Sequence, residues 1–439
     1  MKSKFLLMVV LLCQLVLSCK KATEYDPEDT GPKNGNAHLK IAIVSDIHYL
    51  DPSLIINGGA EGTAFQNYLD QDPKLVQYSS MILKKVLEQV KAERPDILLV
   101  PGDITKDGEK IGHQALAGFF NKLRMDGIKV YVVPGNHDIN NAKAKKYDGN
   151  NDYPVEMTSK ADFEMIYRNF GYGNAIARDP NSLSYVVQPK PGLRIIGIDA
   201  SKYEDYGPSG DVAAGRIKPA TLTWILAQLA QAREKKIEVF AMMHHNLVEH
   251  YAGQSQLDPG YVIDDWQNVA HTLMEAGLKV IFTGHYHAND ITAYEHNGRE
   301  LIDIQTGSLV TAPSPYRFVT VKQNQLEVST RTVESIGTPL PGGLSFPAYS
   351  KLFLSQQLDG YFDHYLVSQF GAPQALATMA APIFRNGIMA HFAGDETMPP
   401  DERDKINGLG TISPQLADIV TTLWTDLGIK DNEAIIKYK

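Results

Sequence analysis

Cysteine is almost absent from this chain: of 439 residues only Cys13 and Cys19 carry a thiol. A disulfide framework is therefore excluded as a source of stability, and any metal site must be built from nitrogen and oxygen donors. Beyond the N-terminal segment no apolar run approaches the roughly 20 residues needed to cross a bilayer. Positive charge is in deficit, with a formal net charge of -9, which argues against nucleic-acid duplexes as partners. No internal repeat is present, so the chain is not a solenoid. An apolar fraction of 43% supports a sizeable core, and the length suits one large domain with an appendage, or two domains.

The N-terminus has the pattern of an export signal. Lys2 and Lys4 precede a nearly continuous apolar run over residues 5–18, too short to span a membrane comfortably. It ends Val16-Leu17-Ser18-Cys19, the pattern of a bacterial lipobox in which the cysteine receives lipid. The expectation is a signal peptide over 1–18, lipidation of Cys19, and a polar tether over 19–38. The mature protein would then be exported and lipid-anchored on the periplasmic or cell-surface face of a bacterial membrane. A plain signal peptide is the blander reading.

From residue 39 onward strands and helices alternate. Strand-like apolar runs fall at 39–45, 96–100, 129–133, 194–198, 238–243, 279–282, 300–305 and 316–321. Helical periodicity falls at 74–91, 109–125, 219–235 and 262–276. This alternation predicts an α/β architecture, two sheets face to face with helices outside. The Pro/Gly-rich stretch 337–343 marks a boundary, closing a domain over 39–336. Beyond it helical runs at 349–370, 373–390 and 413–427 predict a small helical domain over 344–439, with no further strand.

Five short clusters follow the ends of predicted strands: Asp46-Ile-His48, Gly102-Asp103, Gly135-Asn-His-Asp138, His244-His-Asn246 and Gly284-His-Tyr-His287. In open α/β sheets ligands sit beyond the carboxyl ends of the strands, so these clusters can converge in space. Carboxylates, imidazoles and one amide suit a pair of hard or borderline divalent ions. Alternation along an extended chain would point His285 and His287 to one side, past Tyr286. Taken singly the clusters are ordinary. Gly-Asp is a common turn, and Asn136 and Asp138 fit helix or turn caps. His245 suits a buried histidine as well as a site residue, and Tyr286 suits packing. Their ordered recurrence is what carries the functional reading.

The set D-x-H, G-D, G-N-H-D, H, G-H-x-H resembles the signature of the calcineurin-like metallophosphoesterases, over roughly residues 39–330. The resemblance implies the two-sheet α/β sandwich of that family and a binuclear centre. Position by position, Asp46, His48, Asp103 and His287 would hold one metal ion. Asp103, Asn136, His244 and His285 would hold the other, with Asp103 shared. The ions would be Fe, Mn or Zn, divalent or mixed-valence. His137 would face the substrate as a catalytic residue, oriented by Asp138, in hydrolysis of a phosphoester without a covalent enzyme intermediate.

The flanks Tyr49-Leu-Asp-Pro-Ser-Leu54, Gly108-Glu-Lys110, Ile139-Asn140 and Asn246-Leu247 look like those of bacterial cell-surface cyclic nucleotide phosphodiesterases. That resemblance implies a small, nucleotide-type phosphodiester substrate, recognised by the long loops 49–72, 140–155 and 246–259. The alternatives are a broad phosphomonoesterase or protein phosphatase, and a catalytically idle, metal-containing binding lipoprotein. No protein partner is indicated.

Overall fold

A computed structural model describes residues 38–394 and 396–438. The signal, Cys19 and tether expectations lie outside those residues. Among them, no helix is long and apolar enough to cross a membrane.

Two mixed sheets face each other. The first runs, edge to edge, through Glu433–Lys437, Gln325–Thr332, Pro315–Lys322, Leu39–Ile43, Ile97–Pro101 and Lys129–Val133. The second runs through Ile291–His296, Arg299–Gln305, Val280–Thr283, Glu238–Met243, Leu193–Ile198, Tyr185–Lys190 and Ala177–Arg178. The central strands Leu39–Ile43, Ile97–Pro101 and Lys129–Val133 are parallel neighbours. Their near-continuous burial matches their unbroken Val/Ile/Leu runs. Ile41, Leu99 and Val132 of one sheet share a single apolar core with Phe240, Phe282 and Ile302 of the other. Tyr185 crosses that core, its hydroxyl donating to the Val132 carbonyl at 2.8 Å.

Helices cover both outer faces. Ser79–Glu93 and Lys110–Met125 pack on the first sheet, and Pro219–Glu234 and Trp266–Ala276 on the second. The α/β sandwich expected from the alternation is the architecture observed. The shorter strands Lys145–Asp148, Asn151–Pro154, Ala177–Arg178 and Ile291–His296 escape the sequence reading because polar hairpins give no sustained apolar run.

The C-terminal region is helical, with one correction. Phe346–Phe370 starts at Ser345, whose side chain caps the Ala348 N–H, and stops at Gly371 in the left-handed conformation. Gln374–Ala393, Pro400–Gly410 and Pro414–Thr422 follow. The chain then returns to the first sheet: Glu433–Lys437 pairs antiparallel with Gln325–Thr332. The helical unit therefore does not extend to the end of the chain. This strand is only five residues long, and its one buried strand residue, Ile436, finds its partner over a hundred residues earlier in sequence. Local pattern has no access to such a pairing.

Candidate active site and metal centre

All five sequence clusters sit on the turns that leave the carboxyl ends of parallel strands, and the fold brings them together. One donor atom each from Asp46, His48 and His287 falls within 4.8 Å of the others, and so does one each from Asp103, His244 and His285. Asp103 lies between the groups: its Oδ2 is 3.7 Å from His48 Nε2 and 3.2 Å from His244 Nε2. Asn136 Oδ1 approaches His244 Nε2 at 3.1 Å, its amide nitrogen donating to Asp211 Oδ2.

The backbone is bent to achieve this. Asp46, His48, Asp103, His285 and His287 all have positive φ, between 41° and 76°. Each such residue costs about 1–3 kcal/mol, and strain of this kind collects at functional sites. The Gly-His-Tyr-His segment is thus a turn rather than an extended strand end, and its two histidines join different groups. Two glycines make room for the carboxylates. A Cβ on Gly135 would lie 2.2 Å from Asp103 Oδ1, and one on Gly284 would lie 2.4 Å from Asp46 Oδ2.

The ring nitrogens are oriented from behind. His244 Nδ1 donates to the Pro101 carbonyl at 2.9 Å, and His287 Nδ1 pairs with Thr311 Oγ1 at 3.0 Å. Each ring therefore turns its Nε2 toward the cluster. His285 uses Nε2 on the Gly260 carbonyl, leaving Nδ1 for the site.

These donors fit cations. His48 Nε2 and His287 Nε2 face each other at 3.2 Å, and burial drives both imidazoles well below their usual pKa, which favours the neutral form that ligates metal ions. Burial first, then the nearby Asp103 charge, pushes Asp46 up to about 7 against the pull of His244. Asp103 is held well below the usual carboxylate range, because the His244, His137 and His48 rings outweigh its burial. Burial opposes protonation of His244, but Asp103 overrides it and lifts the ring to about 9.

His137 adjoins the cluster on the cavity wall, one donor atom lying within 4.8 Å of donors of His48 and Asp103, and its Nε2 is 4.0 Å from Asp103 Oδ2. Its Nδ1 donates to Asp107 Oδ1 at 2.9 Å. Asp103, Asp107 and Asp211 overcome its burial and lift it to about 9. Here the sequence reading is corrected: Asp138 does not orient His137. Its buried carboxylate accepts the backbone N–H groups of Ile104, Thr105 and Gly135 and the Thr105 hydroxyl, tying two site turns together. A carboxylate next in sequence points the opposite way, and the fold supplies Asp107 from the neighbouring turn. His245 is fully buried with Nε2 on the Ala213 carbonyl, a packed histidine. Tyr286 does more than pack: its hydroxyl donates to Asp258 Oδ2 at 2.8 Å on the cavity wall.

The cavity in front of the cluster measures about 420 Å³. The expected loops contribute Gln71, Lys143, Tyr251 and Asp258. Much of the remaining wall comes instead from the C-terminal helices, through Leu358, Tyr361, Phe362, Tyr365, Phe384 and Phe392. Nothing in the five clusters signals that contribution; only a helix surface carrying more aromatic groups than its own packing needs hints at it.

Among solved structures, a dimetal phosphatase from Danio rerio is 16% identical, with a TM-score of 0.46, covering 67% of this chain and 96% of that one. The phosphopantetheinyl hydrolase of Mycobacterium tuberculosis is 13% identical, with a TM-score of 0.30, covering 62% and 91%. A comparison with curated proteins gives no match. The profile of the calcineurin-like phosphoesterase family matches residues 39–289, more than half of the chain and the whole span of the five clusters, and the chain belongs to that family.

Proposed function

We propose that this phosphoester hydrolase is a phosphodiesterase acting on nucleotide-type substrates, cyclic nucleotides foremost. The supporting observation is the aromatic wall. Tyr361 and Tyr365 stack on one helix face with ring centroids 5.4 Å apart and line the same cavity as the histidine–carboxylate cluster. Aromatic rings placed there can stack on a base, worth about 1–3 kcal/mol per base. The cavity volume suits a mononucleotide.

Asp46, His48, Asp103 and His287 would hold one metal ion, and Asp103, Asn136, His244 and His285 the other. Bound there, two such ions polarise the phosphoryl group and supply a nucleophile at neutral pH. The protein's own residues do the rest. Lys74 and Lys143 bring positive charge to the cavity wall, partly offset by Asp72 and by Asp211, which lies 2.8 Å from Lys143 Nζ. His137, held by Asp107, carries a proton on the cavity face where a leaving oxygen departs.

Kinetics on metal-reconstituted protein test this reading. The 2′,3′- and 3′,5′-cyclic nucleotides are expected to exceed the corresponding monophosphates in kcat/KM. Clear preference for monophosphates would make the enzyme a phosphatase and leave the metal chemistry standing.

Export and lipid anchoring remain part of this proposal, supported by the lipobox pattern ending at Cys19. Cys19→Ser is expected to release the protein from the membrane fraction or leave the precursor uncleaved. Normal cleavage with unchanged membrane association would reject the anchor.

A further inference from the structure

A second cluster of metal-ligand type lies behind the active site, where the helix Gln374–Ala393 meets the segment that follows His287. Asp290, His391 and Glu396 place one donor atom each within 4.8 Å of one another. Their side chains are at most 2% exposed. His391 Nδ1 is 2.6 Å from Glu396 Oε1 and 3.8 Å from Asp290 Oδ2. A tetrahedral ion with bonds of about 2 Å sets its donors roughly 3.4 Å apart, and the two observed separations bracket that value.

Two further observations point to a missing ligand. Asp290 Oδ2, which faces His391 Nδ1 from 3.8 Å, is a buried polar atom without a hydrogen-bond partner. Buried carboxylate oxygens are rarely left so, because the cost is about 1–3 kcal/mol each, and more when charged. The second observation is the concentration of carboxylates. Asp290, Asp303 and Glu396 bring three of them into one buried region, and His250 sits between two of them, with Nδ1 2.5 Å from Asp290 Oδ1 and Nε2 3.5 Å from Asp303 Oδ2.

We infer that Asp290, His391 and Glu396 form a third metal site, separate from the two-metal centre, that takes a divalent ion of the zinc or manganese type. One imidazole and two carboxylates suit such ions, and His250 holds Asp290 in place from behind as a carboxylate partner. The site is structural. It fastens the end of the helix that supplies Phe384 and Phe392 to the chain leading out of the catalytic turn, and Tyr286 lies between the two, its ring centroid 5.8 Å from that of His391. The ion therefore fixes the cavity wall relative to the catalytic cluster.

Elemental analysis tests this on full-length protein stripped with chelator, equilibrated with Zn²⁺ and desalted. The native chain is expected to keep close to three zinc ions. Glu396→Gln and His391→Gln should each keep two, whereas Asp103→Asn should lose ions from the catalytic centre and retain the third. A native value of two that Glu396→Gln leaves unchanged overturns the site. Crystals of the native protein give a check that does not depend on variants folding: anomalous scattering at the zinc edge should show a peak among Asp290, His391 and Glu396, and a map without one overturns the site as well. A peak here with none at Asp103 would sink the two-metal reading and leave this one intact.

Discussion

Asp107 and Asp138 lie in adjoining turns and do different work. Asp107 meets the ring of His137, whereas Asp138 meets backbone N–H groups, a threonine hydroxyl and the buried His113 ring. Removing each charge should therefore separate catalysis from stability. Asp107→Asn is expected to lower kcat by about tenfold to a hundredfold with metal content unchanged, because His137 loses the carboxylate that orients and charges it. Substrates with good leaving groups, which need little protonation, should suffer less. Asp138→Asn is expected to cost about 2–3 kcal/mol of stability, since three backbone donors lose a charged acceptor. Steady-state kinetics and thermal melting measured on both variants would decide. Equal loss of kcat with no shift in melting for Asp138→Asn would restore it to the orienting role expected from sequence.

At the scale of elements, the helix Phe346–Phe370 has two jobs. Leu354, Leu358, Phe362 and Leu366 are buried in the core of the helical region. Tyr361 remains 53% exposed and, with Tyr365, turns toward the cavity. An exposed tyrosine contributes little to folding, so its substitution should report on binding alone. Tyr361→Ala is expected to raise KM for a nucleotide diester about tenfold, the loss of one stacked base, while kcat and thermal stability stay unchanged. Diesters with small alkyl leaving groups, which cannot reach the wall, should show no change. A uniform effect on both substrates would remove the wall from substrate recognition.

At the scale of the whole molecule, the last strand links the helical region back to the catalytic sandwich. Glu433–Lys437 forms the edge of the first sheet, and Ile436 and the following Tyr438 are buried in its core. Tyr438 also donates to Glu238 Oε1 at 2.5 Å, at the start of a strand of the other sheet. The two segments that the sequence divides at residue 343 are thus interlocked. Truncation before Glu433 forfeits about 2 kcal/mol for each of two buried side chains, which corresponds to a fall in melting temperature of about 5 °C for a chain of this size. Differential scanning calorimetry of the truncated chain checks this. An unchanged melting temperature would mean that the catalytic sandwich is stable without its closing strand.

The sequence by itself determined the α/β sandwich and pointed to the residues that gather in one histidine–carboxylate cluster. Buried parallel strands announce themselves as unbroken apolar runs, and the five clusters occur at strand ends in a fixed order, so both signals are local. What only the tertiary structure decided is which residues touch. Asp107 rather than Asp138 serves His137, because a turn sends neighbouring side chains in opposite directions. Much of the cavity wall comes from helices more than fifty residues beyond His287, and the closing strand finds its partner across the helical region. Chain neighbours set the periods from which elements are read. Partners distant in sequence meet only once the sheets have packed, and no local period encodes that meeting.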